Sequence, residues 1–365
     1  MKILLTDGSH ANTLGIMRHL KGHEIDILHH KKSAPAYSKY CNKLIISPEI
    51  TDIENYFNFL YNHVKANYYD ILIPVGVLAS YICSKYYEKL CLYVRIEIAA
   101  FKDFNIAANK AETFKFCEEH GILHPRTYHN LEDVKFPAVI KATGEVKGKF
   151  PVKYINSKSE LHHQIELIIT RYPHLQREDL VIQDCIKGEP YGFFCLYQNG
   201  VLKRALCQRR IREYPATGGH ATSAETIYDK ELIKQGKYVF DKLHWHGVGM
   251  VEYKKDQEGN YWLIEINPKF WTAIEMHILA GMHFPEYLLQ MGDRELEYSD
   301  DYKKKRFVWL FAQQAELYRL FQRPKEILKV VKDVFRSSTD LHLDDIKPTI
   351  MQLLYWIRWI IAEPK

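Results

Sequence analysis

The first hundred residues alternate short apolar runs with segments of helical periodicity, and this alternation limits the possible folds more than any other feature. Lys2–Thr6 reads as a strand, Leu14–Leu20 as a helix and Glu24–Leu28 as the next strand. Lys43–Ile46 and Asp70–Val75 read as further strands, with a helix over Ile53–Ala66 between them. Strands separated by helices pair in parallel, because a parallel neighbour needs a crossover connection. Residues 1–105 are therefore expected to form βαβ units around a parallel sheet. The first turn, Asp7-Gly8-Ser9-His10-Ala11-Asn12-Thr13-Leu14-Gly15, is not G-x-G-x-x-G. This Rossmann-like domain is expected to hold no dinucleotide.

The pattern then changes. Lys110–His120 reads as a helix stopped at Gly121, as helices commonly are. Phe136–Ala142 is a strand, followed by a glycine- and lysine-bearing segment, Thr143–Phe150. Lys153–Ile155 resumes strand character and Ser159–Thr170 is helical. The chain is strand-rich from Leu180 to Ala205, irregular over His220–Thr226 and helical over Asp229–Leu243, before two more strands. Residues 299–365 read as an amphipathic helical appendage. The expected division is 1–105, 106–298 and 299–365, the middle unit splitting into 106–180 and 181–298.

Composition narrows the function classes. The net charge of +5 suits a protein handling anionic small molecules such as nucleotides, and is too small and scattered for nucleic acid. The run Lys303-Lys304-Lys305-Arg306 reads as a solvated stretch after a domain boundary. The seven cysteines include no C-x-x-C pair and read as reduced thiols. The apolar run at the N-terminus is too short for a signal peptide. No stretch reaches the roughly 18 apolar residues of a membrane span; the nearest, Leu353–Ala362, is interrupted by Arg358. A cytoplasmic location is expected.

The strongest chemical signal is a predicted hairpin, Val248–Lys255 and Asn260–Asn267, joined by Asp256-Gln257-Glu258-Gly259. Side chains alternate along a strand, so Glu265 and Asn267 share one face while Trp262, Ile264 and Ile266 pack on the other. With a four-residue loop Lys255 pairs with Asn260 and Glu252 falls opposite Leu263. Glu265 is then the diagonal neighbour of Glu252. Two carboxylates that close call for a cation, and hard oxygen donors suit Mg²⁺ shared with substrate phosphates. A surface hairpin with solvated acids would leave the apolar face unexplained.

Three weaker constellations accompany it. Val181–Glu189 runs from a strand into a bend at Gly188, where backbone groups can meet an adenine edge and an acid can accept ribose hydroxyls. Lys141 ends an apolar strand beside Gly144 and Gly148, as a phosphate ligand would; the spacing is not that of a Walker A loop. Gln208-Arg209-Arg210-Ile211-Arg212 leads to Gly218-Gly219, and guanidinium forks there can line an anion site. The aromatic platform of a single-strand nucleic-acid binder is missing from it.

In this order the pieces resemble the ATP-grasp superfamily, which includes D-alanine–D-alanine ligase, biotin carboxylase and the large chain of carbamoyl-phosphate synthetase. Within it they are most similar to carboxylate–amine ligases of the carbamoyl-phosphate-synthetase-like branch. Glu265-Ile266-Asn267-Pro268-Lys269-Phe270-Trp271 resembles that branch's E-x-N-P-R-F-W signature, and Gln208–Gly219 resembles its arginine-rich strand and loop. The resemblance covers residues 1 to about 295. It implies an α+β ATP-grasp fold behind an N-terminal Rossmann-like pre-ATP-grasp domain.

The resemblance also implies roles. Lys110 and Lys141 match the two lysines on the ATP phosphates, and Thr143–Lys149, with Gly148, matches the loop that closes over them. Gln183, Asp184 and Ile186 match the adenine hinge, acting largely through the backbone, and Glu189 the ribose-binding acid. Glu252, Glu265 and Asn267 match the magnesium ligands. Arg209, Arg212 and Lys269 stand where relatives hold the acyl phosphate or the substrate carboxylate. Three positions depart from the pattern: Lys269 replaces an arginine and loses its bidentate geometry, Gln183 stands where an acid is common, and residues 145–149 carry fewer glycines and more charge.

The implied activity is an ATP- and Mg²⁺-dependent ligase, with Mn²⁺ as a substitute, that activates a carboxylate as an acyl phosphate and joins it to an amine. Its partners are then small-molecule carboxylate and amine substrates, with homodimer or docking contacts left to the C-terminal helices. The alternative is a non-catalytic ATP-binding sensor or assembly protein on the same scaffold.

Overall fold

The computed structural model describes the chain except residues 10, 145, 147, 149, 215–218, 313–315, 317–318, 321–322 and 363–365. Three sheets organise it. The first holds β1 (Lys2–Leu5), β2 (Glu24–His29), β3 (Lys43–Ile46) and β4 (Ile71–Ile73), all parallel, in the order β3-β2-β1-β4. Alternation sets its two faces. Ile3, Leu5, Ile25 and Ile27 pack on Leu14, Ile16 and Met17 of α1 (Ala11–His19). Leu4, Leu28 and Leu72 pack on Tyr56, Phe57, Leu60 and Val64 of α2 (Ile53–Ala66) and on Ile82 of α3 (Val77–Lys85). The helix α4 (Tyr87–Leu90) completes this layer.

The second sheet is antiparallel, with β5 (Thr127–Tyr128), β6 (Ala138–Ala142), β7 (Lys153–Ile155) and β8 (Leu180–Asp184) in the order β5-β8-β6-β7. Two helices, α5 (Phe101–Ala108) and α6 (Lys110–Glu119), precede it. The helix α7 (Lys158–Arg171) is capped by the Ser157 hydroxyl and lays Leu161, Ile165 and Ile168 on Ile140, Ile155 and Ile182. β8 lies between β5 and β6, so residues 180–184 belong to this sheet.

The third sheet has seven strands in the order β13-β12-β9-β10-β11-β14-β15: β9 (Glu189–Gln198), β10 (Val201–Tyr214), β11 (His220–Ile227), β12 (Gly247–Lys255), β13 (Tyr261–Asn267), β14 (Arg306–Val308) and β15 (Ser338–Thr339). Phe194, Leu196, Leu206 and Met250 face α1, α9 (Ile274–Leu279) and α10 (Phe284–Gln290). Phe193, Cys195, Ala205, Cys207 and Val251 face α5, α6 and α8 (Lys230–Lys242). Gly236 of α8 allows that close packing, since a Cβ there would lie 2.2 Å from the Phe193 ring.

Two expectations are corrected. His220–Ile227 is a strand, and residues 299–365 are not helical throughout but add β14 and β15 to the sheet edge. Small polar side chains hide β11 in the sequence; Thr222, Ser223, Ala224 and Thr226 are all fully buried once β10 and β14 pair on either side. Arg212 of β10 reaches across to Glu316 at 2.7 Å and to Asp333, and Arg306 reaches Asp333 at 3.3 Å. The backbone N–H groups of Leu310, Phe311 and Ala312 donate to the Asp340 carboxylate at 2.7–2.9 Å. All seven cysteines are free, and no helix among the described residues is long and apolar enough to cross a membrane.

Candidate active site

The hairpin of β12 and β13 brings Glu252 directly opposite Glu265, by a different route from the one the loop length implies. Asp256 accepts from the backbone N–H groups of Glu258 and Asn260, both at 2.9 Å, and Gly259 takes φ +91°. Lys255 therefore pairs with Tyr261, not Asn260, and Tyr253 with Leu263. A β-bulge then leaves Ile264 unpaired and sets Glu252 against Glu265 and Met250 against Asn267. Tyr261, Leu263 and Ile266 are the buried residues of β13, whereas Trp262 and Ile264, expected on the packing face, are half-buried. Without the bulge the acids would lie on opposite faces.

Each acid has its own cation. Lys110 Nζ lies 2.9 Å from Glu265 Oε2, and Arg210 Nη2 lies 2.5 Å from Glu252 Oε1. Asn267 Nδ2 donates to Glu265 Oε1 at 2.9 Å. Burial pushes the Glu265 carboxyl up, but Lys110, the Asn267 hydrogen bond and Lys141 outweigh it and hold it well below the usual range. Burial pushes Glu252 up; Arg210 opposes this, while Glu265 and Glu213 add to it. Neither acid is sealed off, with side-chain exposures of 22% and 26%. Two opposed carboxylates and an amide oxygen form a hard-oxygen donor set that fits Mg²⁺.

Local structure explains where the lysines sit. Lys110 opens α6, whose first turn is capped by Asn109 accepting from Ala111 N at 3.0 Å, and Lys110 N donates to Thr143 O at 2.5 Å. Gly144 permits this close approach, since a Cβ there would lie 2.5 Å from Ala108 O. Lys141 Nζ is buried and donates to Gln183 Oε1 at 3.2 Å. Burial, then the charge of Lys110, lower its pKa to about 8, with Glu265 opposing.

Gln183, expected at the adenine hinge, is buried within the second sheet. It pairs with Thr127 on one side and Val139 on the other, and its amide donates to Pro125 O at 3.3 Å and Thr127 Oγ1 at 3.0 Å. Its Oε1 accepts from Lys141 Nζ. Asp184 N donates to Arg126 O, and Cys185 N to Pro137 O, both at 3.1 Å, while the Asp184 carboxylate accepts from Tyr128 at 2.6 Å. The N–H groups of Asp184 and Cys185 are thus taken within the second sheet. Ile186 O accepts from Lys254 Nζ at 3.0 Å. Glu189 is exposed and accepts from Tyr191 at 3.3 Å. The bend between them needs Gly188, where a Cβ would lie 2.5 Å from Lys255 O. Gly148, at φ +128°, packs near His174; Glu145, Lys147 and Lys149 of the expected closing loop lie outside the described residues.

Of the arginine run, the structure brings Arg210 to the acids, not Arg209 or Arg212. Arg209 points to the opposite face and pairs with Glu225 at 2.6 Å. A bulge at Ile211 sends Arg212 the same way, into the buried Glu316–Asp333 network. Arg210 also holds Glu213 at 2.9 Å and Gly219 O at 3.2 Å. The signal for it was parity, since Arg210 shares the face of Leu206 and Gln208. Lys269 forms no ion pair among the described residues. Beside it, Trp271 Nε1 donates to His277 Nδ1 at 2.8 Å, so His277 Nε2 carries the proton and donates to Gln208 Oε1 at 2.9 Å. Burial pushes the His277 imidazolium down to about 3, keeping it neutral. Asn12 of α1 donates to Phe270 O at 3.2 Å and ties the N-terminal domain to this turn.

His19, His283 and Glu286 also lie within metal-ligand range of one another. The two rings stack 5.0 Å apart at 6°. An imidazole lone pair lies in its ring plane, so one ion cannot sit in both planes, and the group is not a formed metal site.

The comparisons address the architecture. Residues 176–311 match the model of a family described as ATP-grasp in the biosynthetic pathway with Ter operon. Many solved structures match over most of the chain. An L-amino acid ligase from Bacillus licheniformis superposes with a TM-score of 0.63 at 15% identity, covering 81% of this chain and 75% of that one. The chain has the ATP-grasp fold. An ADP complex of N5-carboxyaminoimidazole ribonucleotide synthetase superposes with a TM-score of 0.66 at 13% identity, over 90% of this ATP-grasp chain and 85% of that one. Biotin carboxylase from Campylobacter jejuni gives 0.65 at 12% identity, over 83% and 74%. No curated protein matches by sequence. The family match extends through β14, so that strand falls within the matched ATP-grasp unit.

Proposed function

We propose that the protein is an ATP- and Mg²⁺-dependent ligase that activates a carboxylate as an acyl phosphate and passes the acyl group to an amine. The observation that carries this reading is Glu252 opposite Glu265, bracketed by Lys110, Arg210 and the buried Lys141. Carboxylates resist amines because oxide is a poor leaving group. Transfer of the ATP γ-phosphoryl to a carboxylate oxygen releases ADP and supplies a better one; the amine then attacks the carbonyl and phosphate departs. Glu252, Glu265 and Asn267 would hold Mg²⁺, which when bound neutralises charge on the phosphate oxygens. Lys110 exchanges Glu265 for phosphate oxygens, and Lys141 supplies a second cation from a dry wall. Gln183 keeps Lys141 aimed, and Arg210 opposes the upward push that burial gives the Glu252 carboxyl. Ile186 and Glu189 border the nucleotide, and Lys269 is the cation available to the acyl group.

The fold similarity supports the scaffold, and the ligase and ADP-bound structures among the similar proteins support this class of chemistry. The test is incubation with ATP, Mg²⁺ and pooled amino acids and small acids, following phosphate release and identifying products by mass spectrometry. Turnover dependent on a carboxylate is expected. ADP formation no greater than that of Glu265→Gln with every pool would sink the proposal.

A further inference from the structure

The helix Ile327–Val334 exposes large apolar side chains that no other described residue covers. Leu328 is 81% and Phe335 86% exposed, and Ile327 and Val331 are exposed beside them. At about 100° per residue these four fall within one sector of about 100° on the helix. Lys325, Lys329, Lys332 and Arg336, all exposed, fall within the adjoining sector of about 60°. Val330 and Asp333 occupy the buried side. The segment thus has an anchored face, a bare apolar face and a cationic edge between them.

The acids nearby do not offset that edge. Asp333 is taken by Arg212 and by Arg306 at 3.3 Å, and Glu326 by Arg319 and by Arg323 at 3.5 Å. We propose that this face docks the protein on an anionic lipid surface, with Leu328, Val331 and Phe335 entering the headgroup–acyl boundary and the lysines and Arg336 contacting lipid phosphates. Bulky apolar residues flanked only by unpaired cations suit a bilayer interface, where each cation near an anionic headgroup layer strengthens partitioning on the order of fivefold. A second copy fits less well, because a two-fold contact through this face brings the same four cations from each partner together with no free carboxylate between them. Among the described residues none on this face pairs with Glu252 or Glu265, so docking would place the proposed ligase at a membrane surface without engaging those acids.

The test is co-sedimentation of the full-length protein with phosphatidylcholine vesicles, with and without phosphatidylglycerol. Binding is expected only with phosphatidylglycerol, and it should weaken as salt rises. Leu328→Glu with Phe335→Glu should reduce it at least tenfold, and Lys329→Glu with Lys332→Glu similarly, while thermal melting stays unchanged because all four side chains are exposed. Failure of the wild type to sediment with anionic vesicles overturns the proposal, as does equal sedimentation of the Leu328→Glu/Phe335→Glu protein. Light scattering that shows a dimer dissociated by Leu328→Glu also overturns it, assigning the face to a second copy.

Discussion

Lys141 offers a way to detect phosphate at the site through protons. Lys141 is 8% exposed, and its ammonium has Gln183 Oε1 at 3.2 Å as its hydrogen-bond partner. Burial, reinforced by Lys110, lowers its pKa from 10.5 to about 8. That displacement corresponds to about 3 kcal/mol against the charged form. With the folded pKa below the unfolded one, the folded state carries this penalty below pH 8 and loses it as pH rises from about 8 towards 10.5. A bound triphosphate reverses the balance, because an opposite charge favours the ammonium. At pH 8, where half of Lys141 is neutral, nucleotide binding should take up about half a proton, against roughly a tenth at pH 7. Above pH 8 affinity should fall by up to about tenfold per pH unit. The assay is calorimetric titration with a non-hydrolysable ATP analogue and Mg²⁺ at pH 8, in two buffers of different ionisation enthalpy. The observed enthalpies should differ by about half the difference between the buffers, and Lys141→Arg, always charged, should abolish that difference. Identical wild-type enthalpies would show that Lys141 does not meet the phosphates.

Three further outcomes follow from the geometry. Glu265→Gln keeps the side-chain shape and should leave the melting temperature near wild type, yet single-turnover ADP formation should drop by roughly two orders of magnitude or more. Arg212→Met leaves the buried Glu316 and Asp333 short of a partner and should destabilise the protein by about 3–5 kcal/mol in urea unfolding, with nucleotide affinity unchanged in whatever protein remains folded; a loss of affinity in folded protein would return Arg212 to the site. Truncation after residue 298 removes β14 from the edge of β11 and the acids around Arg212, so insoluble protein is expected; a soluble, nucleotide-binding fragment would show that this edge is dispensable.

Sequence alone determined the parallel N-terminal sheet, because alternating strand and helix periods leave few other ways to bury the apolar faces of Ile3, Ile27 and Ile71. It also singled out Glu252, Glu265, Asn267, Lys110 and Lys141 as candidates, through residue type and the family resemblance. Only the tertiary structure decided how these groups meet. The turn shifted the register by one residue and a bulge at Ile264 shifted it again, so the acids face each other where the loop length alone put them on a diagonal. A second bulge at Ile211 turned Arg212 into a buried tie and left Arg210, one residue from Arg209, as the guanidinium beside Glu252. Neither bulge has a local sequence signature, since each depends on which strand pairs alongside. Tertiary pairing likewise turned residues 220–227 and 306–308 into strands. The first carries small and polar side chains with no apolar alternation and the second is only three residues long, and both are fixed by pairing, 220–227 between β10 and β14 and 306–308 between β11 and β15.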